Sequence, residues 1–247
     1  YLIPLFFTIF TTTKKLTMTF RNTKEFAQEL DRQDELSSYR NEFSFPKVNG
    51  QNVIYFTGNS LGLHSKRAKK YVDEVMTDWE NLAVEGHFHA EKPWWDYHER
   101  FVNPLSKIVG ALPSEVTVMN TLTVNLHLMM VTFYKPTPKR FKILCEAKAF
   151  PSDQYMIQSQ VQFHGLNPED AIVEIQRREG EHNIRLEDIL AKIEEVGDEL
   201  ALVLIGGVNY YTGQVFDMKT ITEAGHKQGA YVGWDLAHAA GNIELHL

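Results

Sequence analysis

The 247-residue chain carries 25 Lys and Arg against 32 Asp and Glu, a formal net charge of −7, with 43% hydrophobic and 23% charged residues. That balance is ordinary for a globular protein and excludes collagen-like, disordered and disulfide-scaffold classes. The acidic excess argues against a nucleic-acid surface, which needs clustered Lys and Arg, while the length suffices for one large α/β domain or two modest ones.

The opening decapeptide YLIPLFFTIF is apolar like a signal-peptide core, yet no positive charge precedes it, and Lys14 and Lys15 follow it. It also falls short of the roughly 20 apolar residues that span a bilayer. The expectation is that Met18 is the natural start and that residues 1–17 are a leader or non-native extension, with a signal anchor as the alternative. Nothing else suggests a membrane.

From Met18 to about Arg40 the pattern is amphipathic and helical, and NEFSFPKVNGQNVIYFTGNSLG reads as turns around one short strand, NVIYF. Residues 65–84 recover helical spacing, with Tyr71, Val72, Val75, Met76 and Trp79 on one face expected to be core. Another helix is expected within residues 93–112.

The chain then alternates. The apolar runs EVTVM, KILCEA, AIVEIQ, LALVLIGG and AYVGWD are separated by helix-patterned stretches beginning near Thr121, Ser152, Arg185 and Asp217. Continuous apolar runs are what strands look like when helices cover both faces, so the alternation predicts a doubly wound, mostly parallel sheet. Ligands in such sheets collect beyond the carboxyl ends of the strands. Cys145, the single cysteine, lies inside one of these runs with no activating partner beside it and reads as a small buried hydrophobe.

The strand ends supply candidates. A helix starting around Thr121 to Thr123 offers unpaired N–H groups and a hydroxyl that suit a phosphate, although a threonine there also serves as a simple cap. Phe150 precedes a Pro-Ser turn and could stack on a flat ring, with Asp153 as a nearby acceptor, while Ser152 with Asp153 could open the following helix as a capping pair; a core Phe with an N-cap is the plainer alternative. The glycines ending LALVLIGG permit close approach of a ligand or helix. In GWDLAHAAG, Asp235 ends an apolar strand and costs desolvation unless a cation or strong donor meets it. A protonated pyridine nitrogen is such a partner, with His238 on the first turn of the following helix. A metal at Asp235 and His238, joined by His87 and His89, is the lesser reading, because catalytic sites usually want three well-placed protein ligands.

Taken together, YFTGNSLGL, EGHFHAEKPWW, VMNTLTVNLHLMM, FKILCEAKAFPSDQY, YYTGQ and YVGWDLAHAAGNIELHL resemble kynureninase, a family of pyridoxal-phosphate enzymes of the aspartate-aminotransferase-like group (fold type I), from about residue 25 to the end. The resemblance implies that Leu122 and Thr123 bind the cofactor phosphate. It places Phe150, Pro151, Ser152 and Asp153 at the cofactor-contacting turn, with Phe150 over the ring face. Asp235 becomes the pyridinium partner, His238 its neighbour, and Ser60 and His87 lie near the substrate. Gly206 stands where a serine is expected in animal relatives, so only its backbone could contact the cofactor.

The implied reaction is hydrolytic Cβ–Cγ cleavage of L-kynurenine or 3-hydroxy-L-kynurenine to L-alanine and anthranilate or 3-hydroxyanthranilate, in a cytoplasmic homodimer. It belongs to tryptophan catabolism and the route to nicotinamide cofactors. The implied organisation is an N-terminal arm with part of a small domain over 18–64 and an incomplete large cofactor-binding domain over 65–247. The family's imine-forming lysine is expected a few dozen residues beyond the DLAH segment, and no lysine follows Lys227. The chain therefore reads as the N-terminal portion of a longer enzyme, inactive by itself. Two rivals stand beside this reading: another enzyme of the same group, such as a cysteine desulfurase, and a truncated, non-catalytic partner subunit.

Overall fold

The computed structural model describes residues 19–247. The apolar opening stretch and Met18, on which the leader expectation falls, lie outside the described residues. The chain divides into two compact units between Thr77 and Asp78.

In the first unit, helix α1 (Lys24–Gln33) starts where the Thr23 hydroxyl accepts the Phe26 N–H at 3.2 Å, with Glu25 in its first turn and Arg32 in its last to complement the helix dipole. Four two-residue strands follow. β1 (Phe43–Ser44) pairs antiparallel with β4 (His64–Ser65), and β2 (Lys47–Val48) pairs antiparallel with β3 (Gln51–Asn52). The β2–β3 turn is Asn49-Gly50, both at positive φ (51° and 77°), as a two-residue hairpin turn requires.

The expected strand NVIYF is not formed beyond Asn52. Val53 gives its N–H to Pro46, but Ile54 and Phe56 are exposed, and an apolar run without a neighbouring strand edge has nowhere to place its backbone hydrogen bonds. Helix α2 (Ala68–Leu82) appears where the spacing puts it, but its stripe is not core: Val72 is 60% and Trp79 62% exposed. Periodicity reports that a helix has an apolar face; it does not say what covers that face.

The second unit begins at Asp78, within α2, and runs through α3 (Gly86–His89) and a 3-10 turn (Tyr97–Phe101) into α4 (Val102–Val109). Then come α5 (Leu122–Phe133), β5 (Lys142–Glu146), α6 (Pro151–Phe163), the short α7 (Pro168–Ala171), β6 (Ile172–Ile175), α8 (Leu186–Val196), β7 (Leu200–Gly206), α9 (Met218–Lys227) and β8 (Tyr231–Asp235). The four strands form one parallel sheet in the order β6-β5-β7-β8. EVTVM is not a strand. Glu115 instead closes a 3-10 turn, its carboxylate accepting the Leu112 N–H at 2.8 Å, and residues 116–119 run on without a ladder.

Side chains of the central strands alternate between two cores, which makes the sheet doubly wound. Ile143, Cys145, Leu202 and Leu204 pack with Leu126 and Met130 of α5 and Met156, Ile157 and Val161 of α6. Leu144, Val203 and Ile205 face the other way, onto Ile189 and Ile193 of α8 and Ile221 of α9. Each such burial contributes about 1.5–3 kcal/mol. Helix α9 lies so close to the sheet that a Cβ on Gly225 would stand 2.5 Å from Val232 Cγ2. Among the described residues no helix is long and apolar enough to cross a membrane.

Candidate active site

Neighbouring strands β5 and β7 connect outward in opposite directions, β5 to β6 and β7 to β8, which opens a crevice between their carboxyl ends. Three carboxylates meet at that end of the sheet. Glu146 is the last residue of β5, Asp235 the last of β8, and Asp153 sits in the first turn of α6; they are 3%, 8% and 6% exposed. Asp235 Oδ1 accepts the Ala237 N–H at 2.8 Å, and its side chain hydrogen-bonds to Asp153. Glu146 Oε2 accepts the N–H of Gly206, the residue registered opposite Asp235, at 2.9 Å.

Burial pushes the Asp153 carboxyl up to about 7, the charge and hydrogen bond of Asp235 adding to it while the Ser152 hydroxyl opposes it. Burial likewise raises Glu146 to about 7, against the bonds from Gly206 and Asn209 and with help from the Asp235 charge. No salt bridge among the described residues reaches any of the three. A crowd of buried acids without a protein cation is a place where a positively charged group from outside is favoured.

A group of rings is carried by the segments that leave the same ends of β5, β7 and β8. Phe150, half exposed, meets Tyr210 edge-on at 5.2 Å and His238 at 6.2 Å, and Tyr210 lies 6.2 Å from His238. Lys148, at φ 57°, turns the chain sharply out of β5, and Phe150 then becomes the N-cap residue of α6 with Pro151 in the first helical position. The expected Ser152 cap is absent. Ser152 already lies inside the helix, and its hydroxyl donates to Asp153 Oδ1 at 3.2 Å. His238 is carried by a turn closed by the Ala239 N–H on the Leu236 carbonyl, where a helix was expected.

Helix α5 presents a free first turn. Thr121 is the N-cap residue in an extended conformation and makes no side-chain cap bond, while Thr123 is exposed one residue inside the helix. The capping alternative for this threonine is therefore not what forms, and the first-turn N–H groups of Leu122 and Thr123 remain available to an anion. Gln160 of α6 hydrogen-bonds His127 at 2.9 Å, which ties α5 beside the helix that carries Asp153. Leu122 and Thr123 make no hydrogen bond or ring contact with the acids or the ring wall among the described residues.

His87, in α3, is exposed and approaches the Val84 carbonyl through Nδ1 at 2.9 Å. A carbonyl only accepts, so the neutral ring carries its hydrogen on Nδ1 and offers Nε2 as an acceptor. Trp94 packs edge-on to it at 5.4 Å. Ser60 belongs to the first unit, exposed in a turn where its N–H meets the Thr57 carbonyl. Among the described residues no group of three or more His, Cys, Asp and Glu side chains could hold a metal.

Two residues of the site escaped the sequence reading, Glu146 and Tyr210. Glu146 had the same signal as Asp235, an acid closing an apolar run, and FKILCE could have been read as AYVGWD was. Tyr210 lies in YYTGQ, where only the folded loop shows which of two adjacent tyrosines faces Phe150.

Fold and site together define an α/β protein of the doubly wound class, with three buried acids and a group of aromatic rings at the carboxyl ends of its strands. No family model matches the chain. Among curated proteins it is 80% identical to the kynureninase of Flavobacterium psychrophilum over 230 residues, covering 93% of this chain and 54% of that protein. It is 49% identical to the kynureninase of Homo sapiens over 233 residues, covering 90% and 50%. The chain thus spans about half the length of the curated relatives it matches, and over that half it is similar to kynureninases.

Among solved structures a cysteine desulfurase from Escherichia coli superposes with a TM-score of 0.62 at 15% identity, over 86% of this chain and 51% of that one. A second, with a TM-score of 0.58 at 16% identity over 77% and 48%, is a lyase variant holding glycine covalently linked to its pyridoxal-phosphate cofactor. At such identities the likeness shows the fold, which agrees with the doubly wound sheet expected from the sequence.

Proposed function

We propose that this chain forms the N-terminal, cofactor-binding part of a pyridoxal-phosphate-dependent kynureninase that hydrolyses the Cβ–Cγ bond of L-kynurenine or 3-hydroxy-L-kynurenine. The observation that carries the reading is Asp235: a carboxylate buried at a strand end, crowded by two other acids, with no salt bridge to it among the described residues and with the half-exposed ring of Phe150 carried by the segment leaving a neighbouring end of the sheet. The residues present fit the cofactor. Asp235 would hold the proton of the ring nitrogen, Phe150 would cover a ring face, and the first-turn N–H groups at Leu122 and Thr123 would hold the phosphate. When bound, the cofactor supplies a sink for the electrons left on the substrate Cα.

The protein's own part is binding and proton placement. Asp153, its carboxyl pushed up to about 7 by burial and by Asp235, pairs with Asp235 while carrying less than a full charge near neutral pH. Pro151 and Ser152 shape the turn that presents Phe150, His238 closes the ring wall, and Gly206 contributes backbone alone. Ser60 and the Nε2 acceptor of His87 are assigned to the substrate. Residues 18–64 are assigned to an arm and part of a small domain, and 65–247 to the large domain. The assembly proposed is a homodimer in the cytoplasm.

The test uses the intact protein containing these residues. It is titrated with pyridoxal phosphate by visible absorption, then assayed with L-kynurenine, by anthranilate fluorescence, and with L-cysteine, by sulfide release. Saturable cofactor binding with turnover of kynurenine alone is expected. Binding without kynurenine turnover overturns the substrate, and absence of binding overturns the cofactor assignment.

A further inference from the structure

We propose that Glu146 is a positioning residue for the cofactor pocket: it accepts the Gly206 N–H across the switch-point crevice and so fixes the turn that sets Tyr210 against Phe150 and His238. The inference rests on the cofactor reading above and adds to it a residue whose work is done through others.

The argument begins with the ladder. β5 and β7 are registered from Lys142↔Leu200 to Leu144↔Val203, with a shift between Lys142 and Ile143, and no pair follows Val203. β7 nevertheless continues to Gly206, where it is still paired with β8 at Asp235. On its β5 side, the end of β7 has therefore lost its backbone partner. Glu146, closing β5, supplies a side-chain acceptor in its place: Oε2 takes the Gly206 N–H at 2.9 Å, and Oε1 lies 3.5 Å from Asn209 Nδ2.

The carboxylate packs closely on the backbone of Gly206. A Cβ there would stand 3.3 Å from Glu146 Oε1 and 3.4 Å from the Val208 carbonyl oxygen.

Asn209 is the centre of the following turn. Its Oδ1 accepts from the N–H groups of Tyr211 and Thr212 and from the Thr212 hydroxyl, at 3.0, 3.0 and 3.2 Å. Its backbone N–H donates to Gln214 and its carbonyl accepts from Gly213. The residue between Asn209 and Tyr211 is Tyr210, whose ring meets Phe150 at 5.2 Å and His238 at 6.2 Å. A carboxylate that grips both Gly206 and Asn209 thus holds the two ends of the segment that aims Tyr210. An aspartate, one methylene shorter, would not span the same gap.

The experiment compares E146A, E146Q, Y210A and E146A/Y210A in the intact protein. Cofactor affinity is read by visible absorption, and amide hydrogen exchange of the 206–214 segment is read without cofactor. E146A should raise the cofactor Kd about tenfold, the scale of one lost aromatic or hydrogen-bonded contact, and speed exchange of 206–214 with strands β5 and β8 unchanged. E146Q, whose amide carbonyl can still accept the Gly206 N–H, should stay within about threefold of the parent. Y210A should weaken binding as E146A does, and the double variant should add little, because one residue acts through the other. If E146A does not fold, N209A cuts the same link from the opposite side, and equal binding by N209A and the parent overturns the inference. Parent-like binding by E146A, full additivity with Y210A, or failure of E146Q as severe as that of E146A also overturns it. A parent that binds no cofactor sinks the cofactor reading, and this inference with it; unequal results among variants of a binding parent concern Glu146 alone.

Discussion

Asp153, in the first turn of α6, and Asp235, at the end of β8, are hydrogen-bonded to each other in a buried acid pair. Burial penalises a charge on Asp153, and the neighbouring Asp235 charge adds to that cost, so the Asp153 carboxyl is pushed up to about 7. The pair costs stability in the free protein and gains it back when a cation arrives.

Removing the charge of Asp235 should therefore strike function before fold. D235N keeps the shape and loses the anion that a ring nitrogen needs. Turnover of kynurenine by the intact protein should fall at least about 100-fold, roughly 2.7 kcal/mol of transition-state stabilisation. Steady-state kinetics measures it, and the melting temperature of the cofactor-free variant should not fall. A D235N enzyme with near-parent turnover defeats the assignment.

The acids also dictate a pH dependence of stability. In the unfolded chain such carboxyls titrate near 4, whereas in the fold Asp153 and Glu146 titrate at about 7. Between those values the folded chain keeps protons that the unfolded chain has released. Their contribution is therefore fully present below about pH 4 and is lost as pH rises to about 7. Denaturant midpoints of the cofactor-free protein at pH 5.5 and pH 8 should show D153N gaining on the parent at the higher pH. Equal gains at both pH values would contradict the raised carboxyls.

Phe150 gives a separate handle on the ring wall, since it touches both Tyr210 and His238. F150A should weaken cofactor binding about tenfold, while F150Y, which keeps the ring, should remain within about threefold. Equilibrium titration distinguishes the two, and indifference to F150A would remove Phe150 from the pocket.

Gly86 tests the wall around His87. A Cβ at this position would stand 2.5 Å from Trp94 Cη2, so G86A must displace the indole that packs on His87. Overpacking of this kind costs about 1–3 kcal/mol, and chemical denaturation should show it. If His87 serves the substrate, KM should rise in G86A with the cofactor Kd unchanged.

Much of the sheet was legible because its physics is local. Four of the apolar runs, KILCEA, AIVEIQ, LALVLIGG and AYVGWD, became strands β5 to β8, and α8 and α9 begin beside Arg185 and at Asp217 as expected. Asp217 caps α9 through the Thr220 N–H, a signal carried within a few residues. EVTVM and NVIYF misled because apolar, β-branched runs specify strands only where a partner edge exists. The stripe of α2 misled for the related reason that an apolar face does not name its cover. Ser152 was read as a cap, but Pro151 already fixes the first helical position and leaves Phe150 outside.

What the sequence by itself determined is chemistry and period: which runs are buried on both faces, that an acid ends one of them, and that the motifs are similar to those of kynureninases. What only tertiary structure decided is adjacency. Glu146, Asp153 and Asp235 are distant along the chain, and no periodicity says that strands β5, β7 and β8 set them together or that Tyr210 meets Phe150 and His238. Strand order is chosen by the packing of helices on two faces of the sheet, a property of the whole domain that no short window of residues contains.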